Sequence, residues 1–272
     1  MRKLVRAQTA ERLKKLDREV RKVARKPEDP DGIHDLRVAI RRLKEELEIF
    51  EIWFEPRRAK KIVSQLKKLM DRCAAVRNCD IAVEVLQASG WKDSELSAGL
   101  KRERQRSSKE LSRRLERWRG RVQEWRGHLR VGQADSKESP AQNASRLLPG
   151  MIDDLFNAGS AAAQPESKTG QIHQFRLKTK RMRYTLELFE AVYGGKVKRI
   201  MDSLKSLQAM LGAINDCATT IEMIRLDRGA AAAVRRLCTK REAEFREHWK
   251  TDFVPAQRRR WKAVLSAADR TA

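Results

Sequence analysis

Apolar residues recur along most of the chain at intervals of three and four, the spacing of one helix face. Sustained alternation, which would mark half-buried strands, is nearly absent. The pattern predicts a helix over residues 3–25, broken by KPEDPDG with its two prolines and one glycine. A second helix is expected over 32–53, stopping before Pro56. A long third runs over 56–88, with Pro56 in its first turn. After the turn SGWKDS, a fourth covers 94–118, with continuation past Gly120 left open. VGQADSKESPAQNAS, residues 131–145, is small, polar and interrupted by proline, and reads as a linker. The helical pattern then restarts over 145–158. After the polar loop GSAAAQPESKTG it continues over 171–192, closed by YGG, then over 197–226. A last helix runs from 229 toward 248, with a basic tail, QRRRWKAVLSAADR.

The order of elements is the same before and after the linker. IHDLRVAIRRLKEELEIF, residues 33–50, matches IHQFRLKTKRMRYTLELF, residues 172–189, at an offset of 139. LKKLMDRCAAVRNCD, from Leu66, matches LKSLQAMLGAINDC, from Leu204, at an offset of 138. Two separate matches at nearly one offset predict an internal repeat. The expected architecture is all-α: two pseudo-symmetric four-helix bundles, residues 1–135 and 136–272, facing one another.

On a helical wheel, Leu36, Ile40, Leu43, Leu47 and Phe50 form one apolar stripe, the face expected to be buried. His34, Arg37, Arg41 and Lys44 form a second stripe about 100° away, spanning roughly 15 Å of helix. The second copy repeats the arrangement, with Phe175, Thr179, Met182, Leu186 and Phe189 apolar and His173, Arg176, Lys180 and Arg183 basic. Like charges at this spacing repel one another by a few tenths of a kcal/mol per pair. A sequence shaped for stability alone would interleave acids, and the second copy has none before Glu187.

Charge sharpens the picture. The formal net charge is +24 and the isoelectric point near 10.4. The excess is spread over both halves: 36 basic and 22 acidic residues up to residue 135, 25 and 15 after it. Such self-repulsion is characteristic of proteins that meet polyanions: nucleic acid, anionic membrane or phosphate polymers. No apolar run approaches membrane-span length, and the N-terminus lacks the apolar core of a signal peptide. The four cysteines lack the spacing of a zinc or redox motif, so reduced thiols in a cytosolic protein are expected.

Paired basic stripes suit oxyanions in series. Arginine offers a planar fork that matches phosphate oxygens, and lysine adds a mobile point charge. Two rows facing each other would make a basic channel, and a polyphosphate chain needs only charge and oxygen contacts.

HDLRVAIRRLK and HQFRLKTKRMRY, with AVRNCDIAVEVL and LGAINDC, resemble the CHAD family, the conserved-histidine α-helical domain, over nearly the whole chain. The resemblance implies two pseudo-symmetric four-helix bundles around a basic central cavity that binds inorganic polyphosphate. In some members it implies association with polyphosphate granules. Carried over position by position, the binding residues are His34, Arg37, Arg41, Arg42 and Lys44, with His173, Arg176, Lys180, Arg181 and Arg183. Lys44 stands where the second copy has Arg183, so the halves need not grip equally. Lys67 and Lys205 hold matching places on the long helices and are candidates for the same cavity. Some relatives carry a CYTH triphosphate-handling domain, for which this chain has no room.

For His34 and His173 two roles stay open: hydrogen-bonding phosphate, or orienting the helix. Neither motif shows the nucleophile or paired carboxylate that a general base would need, and the stripes offer too few carboxylates for a metal. No catalytic residue, cofactor or metal is therefore expected, and the protein is read as a non-enzymatic binder. Arg77, Asn78 and Asp80, with Asn215 and Asp216, fit either a cavity lining or a network locking helix to helix. The six tryptophans are dispersed and read as packing residues rather than base-stacking platforms. The arginine-rich stretch 101–130 reads as a solvated face or an outer polyanion patch. The alternative function is generic nucleic-acid or polyanion binding, although no zinc finger, RNP motif or clear helix-turn-helix is present.

Overall fold

The computed structural model describes residues 1–129, 131–132 and 139–267, apart from the Arg119 side chain. Among these residues every regular element is a helix. The chain divides into two compact units, Met1–Ser136 and Lys137–Ala272. Residues 133–138 of the expected linker, and the expected 135/136 boundary with them, lie outside the described residues.

The first unit holds α1 (Arg2–Arg25), α2 (Pro30–Ile49), α3 (Pro56–Ala88) and α4 (Ser94–His128). α1 packs against α2 and α4, and α3 packs against the same two, closing a ring of four helices. The starts are set by caps. Asp29 accepts from the Asp31 amide, and Glu55 accepts from the Arg57 and Arg58 amides at 2.9 Å each. Asp93 accepts from Glu95 and Leu96. Each cap satisfies amides that have no partner within the helix, and Pro30 and Pro56 fit first-turn positions where no amide is needed. Pro30 therefore begins α2 inside the stretch read as a breaker. α2 ends at Ile49, and a 3₁₀ turn, Glu51–Trp53, finishes the segment expected to be α-helical to Trp53. α4 runs through Gly120, ten residues beyond Trp118.

The second unit holds α5 (Pro140–Ala162), α6 (Thr169–Leu188), a short α7 (Glu190–Tyr193), α8 (Lys198–Met223), α9 (Arg228–Asp252) and α10 (Pro255–Ser266). α5 packs against α6 and α10, and α8 packs against α6 and α9. Three expectations are corrected. α5 starts at Pro140 rather than Ser145, because Ser139 and Gln142 form a reciprocal capping box. The helix expected over 171–192 stops at Leu188 and restarts as α7, before Gly194 turns the chain at φ 54°. The basic tail is a helix, α10, begun by Pro255 and tied to α5 through Asp153, which Arg258 and Lys262 both approach within 2.9 Å.

Both apolar stripes are buried. Leu36, Ile40, Leu43, Leu47 and Phe50 are at most 2% exposed, and Phe175, Thr179, Met182, Leu186 and Phe189 are fully covered. Thr179 satisfies its hydroxyl on the Phe175 carbonyl at 2.9 Å, which is how a polar side chain sits on that face. Dispersed in sequence, the aromatics of the second unit converge: Phe156, Phe175, Trp249, Phe253 and Trp261 form one cluster. In the first unit, Glu46 is a buried carboxylate. It accepts from the Thr9 hydroxyl and lies 3.3 Å from Arg12. Burial raises its pKa to about 7 against the lowering effect of both partners.

Candidate functional site

With one stripe of α2 inside the first unit, the basic residues fall at the margin of the buried face. His34 is exposed near the start of the helix, and Arg37, Arg41, Arg42 and Lys44 are half-buried. Partial burial lowers the His34 pKa below its usual value. The charges of Arg41, Arg77 and Arg37 lower it further, against an opposite pull from Asp35. Burial is the larger cause, and the arginines of α2 and α3 add to it through their charge. Arg41 has no carboxylate within ion-pair distance among the described residues. Arg77 reaches Glu84 at 3.0 Å and Asp80 at 4.0 Å. Lys44 is held by Glu48 at 2.9 Å. Lys67 is exposed and lines, with Lys60 and Ser64, a groove of about 590 Å³ between α2 and α3. Glu48 and Glu51 line the same groove, so its charge is mixed rather than purely basic.

α6 presents the second stripe. His173 is exposed, and its Nδ1 lies 3.2 Å from Asn215 Oδ1 on α8. Arg176 and Lys180 are half-buried, and Arg181 is exposed. Arg183 pairs with Glu187 at 2.7 Å and lies over the Tyr184 ring at 4.6 Å. Lys205 is exposed and pairs with Asp202 at 3.2 Å. Lys44 and Arg183, 139 residues apart, are thus each partnered by an acid four residues on, which answers part of their charge.

The sequence-derived set omitted the partners of the two histidines. Arg77 and Asn215 are aligned by the sequence match on α3 and α8; Arg77 acts on His34 through its charge, and Asn215 touches His173. The second sequence match, at offset 138, already aligned them. It did not show that these helices pack against α2 and α6.

Among the described residues no group of three potential metal ligands comes together, and no helix is long and apolar enough to cross a membrane. A sequence model of the CHAD domain matches residues 7–225. The chain belongs to the CHAD domain family. Its fold is similar to the crystal structure of the CHAD domain from the plant Ricinus communis. That match has a TM-score of 0.62 and 20% identity, covering 98% of this chain and 92% of that one. PptA from Streptomyces chartreusis is similar with a TM-score of 0.62 and 17% identity, covering 92% of this chain and 99% of that one. No curated protein matches. Both structural likenesses speak for a CHAD fold. In this CHAD chain the histidines that head the two stripes have different neighbours, three arginines for His34 and an asparagine for His173.

Proposed function

We propose that the protein binds inorganic polyphosphate without transforming it. The two units are read as four-helix bundles descended from a duplication, and their basic stripes as the walls of one shared cavity. The ligand groups are His34, Arg37, Arg41, Arg42, Lys44 and Lys67, with His173, Arg176, Lys180, Arg181, Arg183 and Lys205. The observation that carries the reading is the pair of half-buried basic rows at the margin of each unit's buried face, Arg37, Arg41 and Arg42 on α2 and Arg176 and Lys180 on α6. Cations held together at the cost of repulsion fit a ligand that brings negative charge. Membership of the CHAD family supports polyphosphate over other polyanions, and residence at cytoplasmic polyphosphate granules follows from the same affinity.

Arg37→Glu combined with Arg176→Glu is expected to abolish polyphosphate binding while far-ultraviolet circular dichroism stays helical. Undiminished binding by such a folded double variant overturns the site. A competition separates this reading from generic polyanion binding. Long-chain polyphosphate should displace labelled nucleic acid at far lower concentration than nucleic acid displaces polyphosphate. Equal displacement would refute the preference.

A further inference from the structure

Two of the four cysteines meet in the second unit. Cys217 on α8 is fully buried, and its sulfur accepts a hydrogen bond from Arg241 Nη1 on α9 at 3.1 Å. The same guanidinium nitrogen donates to the Ala213 carbonyl at 3.0 Å, which fixes it against α8. Cys238 is half-exposed and stands one turn before Arg241 on α9, level with Cys217, because Arg241 is pinned to Ala213 one turn before Cys217 on the antiparallel α8. Its thiol also lies 3.8 Å from Glu242 Oε1. The two thiols thus face one another across the α8–α9 packing, with a cation on the inner one and a carboxylate beside the outer one.

That asymmetry separates their chemistry. The Cys238 thiol, followed by the charge of Arg241, lowers the Cys217 pKa against burial. Cys238 is pushed up by Cys217 and by burial, with Glu242 adding to the rise. When the pair gives up one proton, the charge settles on the inner sulfur beside Arg241 and the remaining proton on the solvent side. The first unit has no such pair. Cys79 is the repeat equivalent of Cys217, but Leu100 stands where Cys238 would fall, 138 residues earlier. There Arg104 donates to the Asp80 carboxylate instead of to a sulfur.

We propose that Cys217 and Cys238 are a reversible dithiol switch that exchanges with low-molecular-weight disulfides and staples α8 to α9. The outer thiol passes its proton to the Cys217 thiolate that faces it. The Cys238 thiolate so formed attacks the disulfide and expels one thiolate. That thiolate takes the proton back from Cys217. The Cys217 thiolate, steadied by Arg241, then attacks the Cys238 sulfur and expels the second thiolate. One thiolate, one thiol and one disulfide have become a protein disulfide, one free thiol and one free thiolate. Because α8 also carries Asn215, the staple lies two residues from the group that holds His173.

The full chain incubated with oxidised glutathione, quenched in acid, alkylated and mapped by peptide mass tests this. The expected product is a Cys217–Cys238 linked peptide, lighter than the two thiol peptides by two hydrogens and reversed by dithiothreitol. Cys73 and Cys79, both buried with raised pKa values, should be recovered alkylated. Cys217→Ala should leave a stable glutathione adduct on Cys238. Three results overturn the proposal: a persistent adduct at Cys238 in the unsubstituted chain, linkage elsewhere, or both cysteines recovered free.

Discussion

His173 Nδ1 and Asn215 Oδ1 lie 3.2 Å apart, joining α6 to α8. An amide oxygen only accepts, so the ring proton belongs on Nδ1 and the neutral ring leaves a bare lone pair on Nε2. A phosphate oxygen also only accepts. His173 can therefore donate to phosphate from Nε2 only as imidazolium. His173→Gln, which can keep the contact to α8 but cannot carry the charge, is expected to weaken polyphosphate binding severalfold. Calorimetry on the folded variant checks it. Unchanged affinity would assign the ring a purely structural role.

Arg41 makes the corresponding case for the first unit. Its charge is the leading electrostatic cause of the depressed His34 pKa, after burial. Arg41→Gln removes that charge, so the His34 resonance in a nuclear magnetic resonance titration should move its midpoint upward, toward the free imidazole value. Polyphosphate affinity should fall by about 1.5 kcal/mol, roughly tenfold, as for one charge-assisted hydrogen bond. Adding polyphosphate to the unsubstituted protein should likewise raise the His34 midpoint. A bound anion screens the arginines and favours imidazolium. A midpoint that ignores both changes would mean that His34 does not sense the stripe.

The stripes were legible because helical period alone decides which residues share a face. Leu36 to Phe50 and Phe175 to Phe189 needed no tertiary information to be placed inside. Lys44–Glu48 and Arg183–Glu187 are equally local, each one turn apart on the same wheel. The capping box at Ser139 and Gln142 was hidden by the polar composition around it, and Pro255 was read within a tail although proline starts helices. The influence of Arg77 on His34 and the contact of His173 with Asn215 lie further off. Each joins residues about 42 apart and depends on how two helices pack, which no local pattern encodes. The meeting of Cys217 and Cys238 is illegible for the same reason.

Glu46 should make stability depend on pH. Folded, its carboxyl keeps its proton up to about pH 7, whereas in the unfolded chain the proton leaves near the ordinary glutamate value of 4.5. Between those values the native state binds more protons, so stability is full below the window, falls as pH rises through it, and levels off above. Glu46→Gln keeps an acceptor for the Thr9 hydroxyl without the buried charge. Its stability relative to the unsubstituted protein should be near zero at about pH 4.5 and higher by up to ~3 kcal/mol at about pH 8. Urea midpoints at the two pH values measure it. A constant difference would show that Arg12 already neutralises the carboxylate.

Gly159 and Trp249 test the packing of the second unit. A Cβ built on Gly159 would overlap the six-membered ring of Trp249. That ring has little freedom to retreat. It is stacked on Phe253 at 4.7 Å and 5°, and Phe175 meets it edge-on at 5.1 Å. Alanine in place of glycine would gain about 1 kcal/mol of helix propensity on an open helix. Here overpacking, which costs about 1–3 kcal/mol, acts against a confined aromatic and should win. Gly159→Ala is expected to lower stability by about 1 kcal/mol net. In a Trp249→Leu background, where the ring is gone, the same substitution should be neutral or stabilising. A double-mutant cycle on denaturation free energies measures that coupling, and additive effects would mean that α5 and α9 do not meet through these two residues.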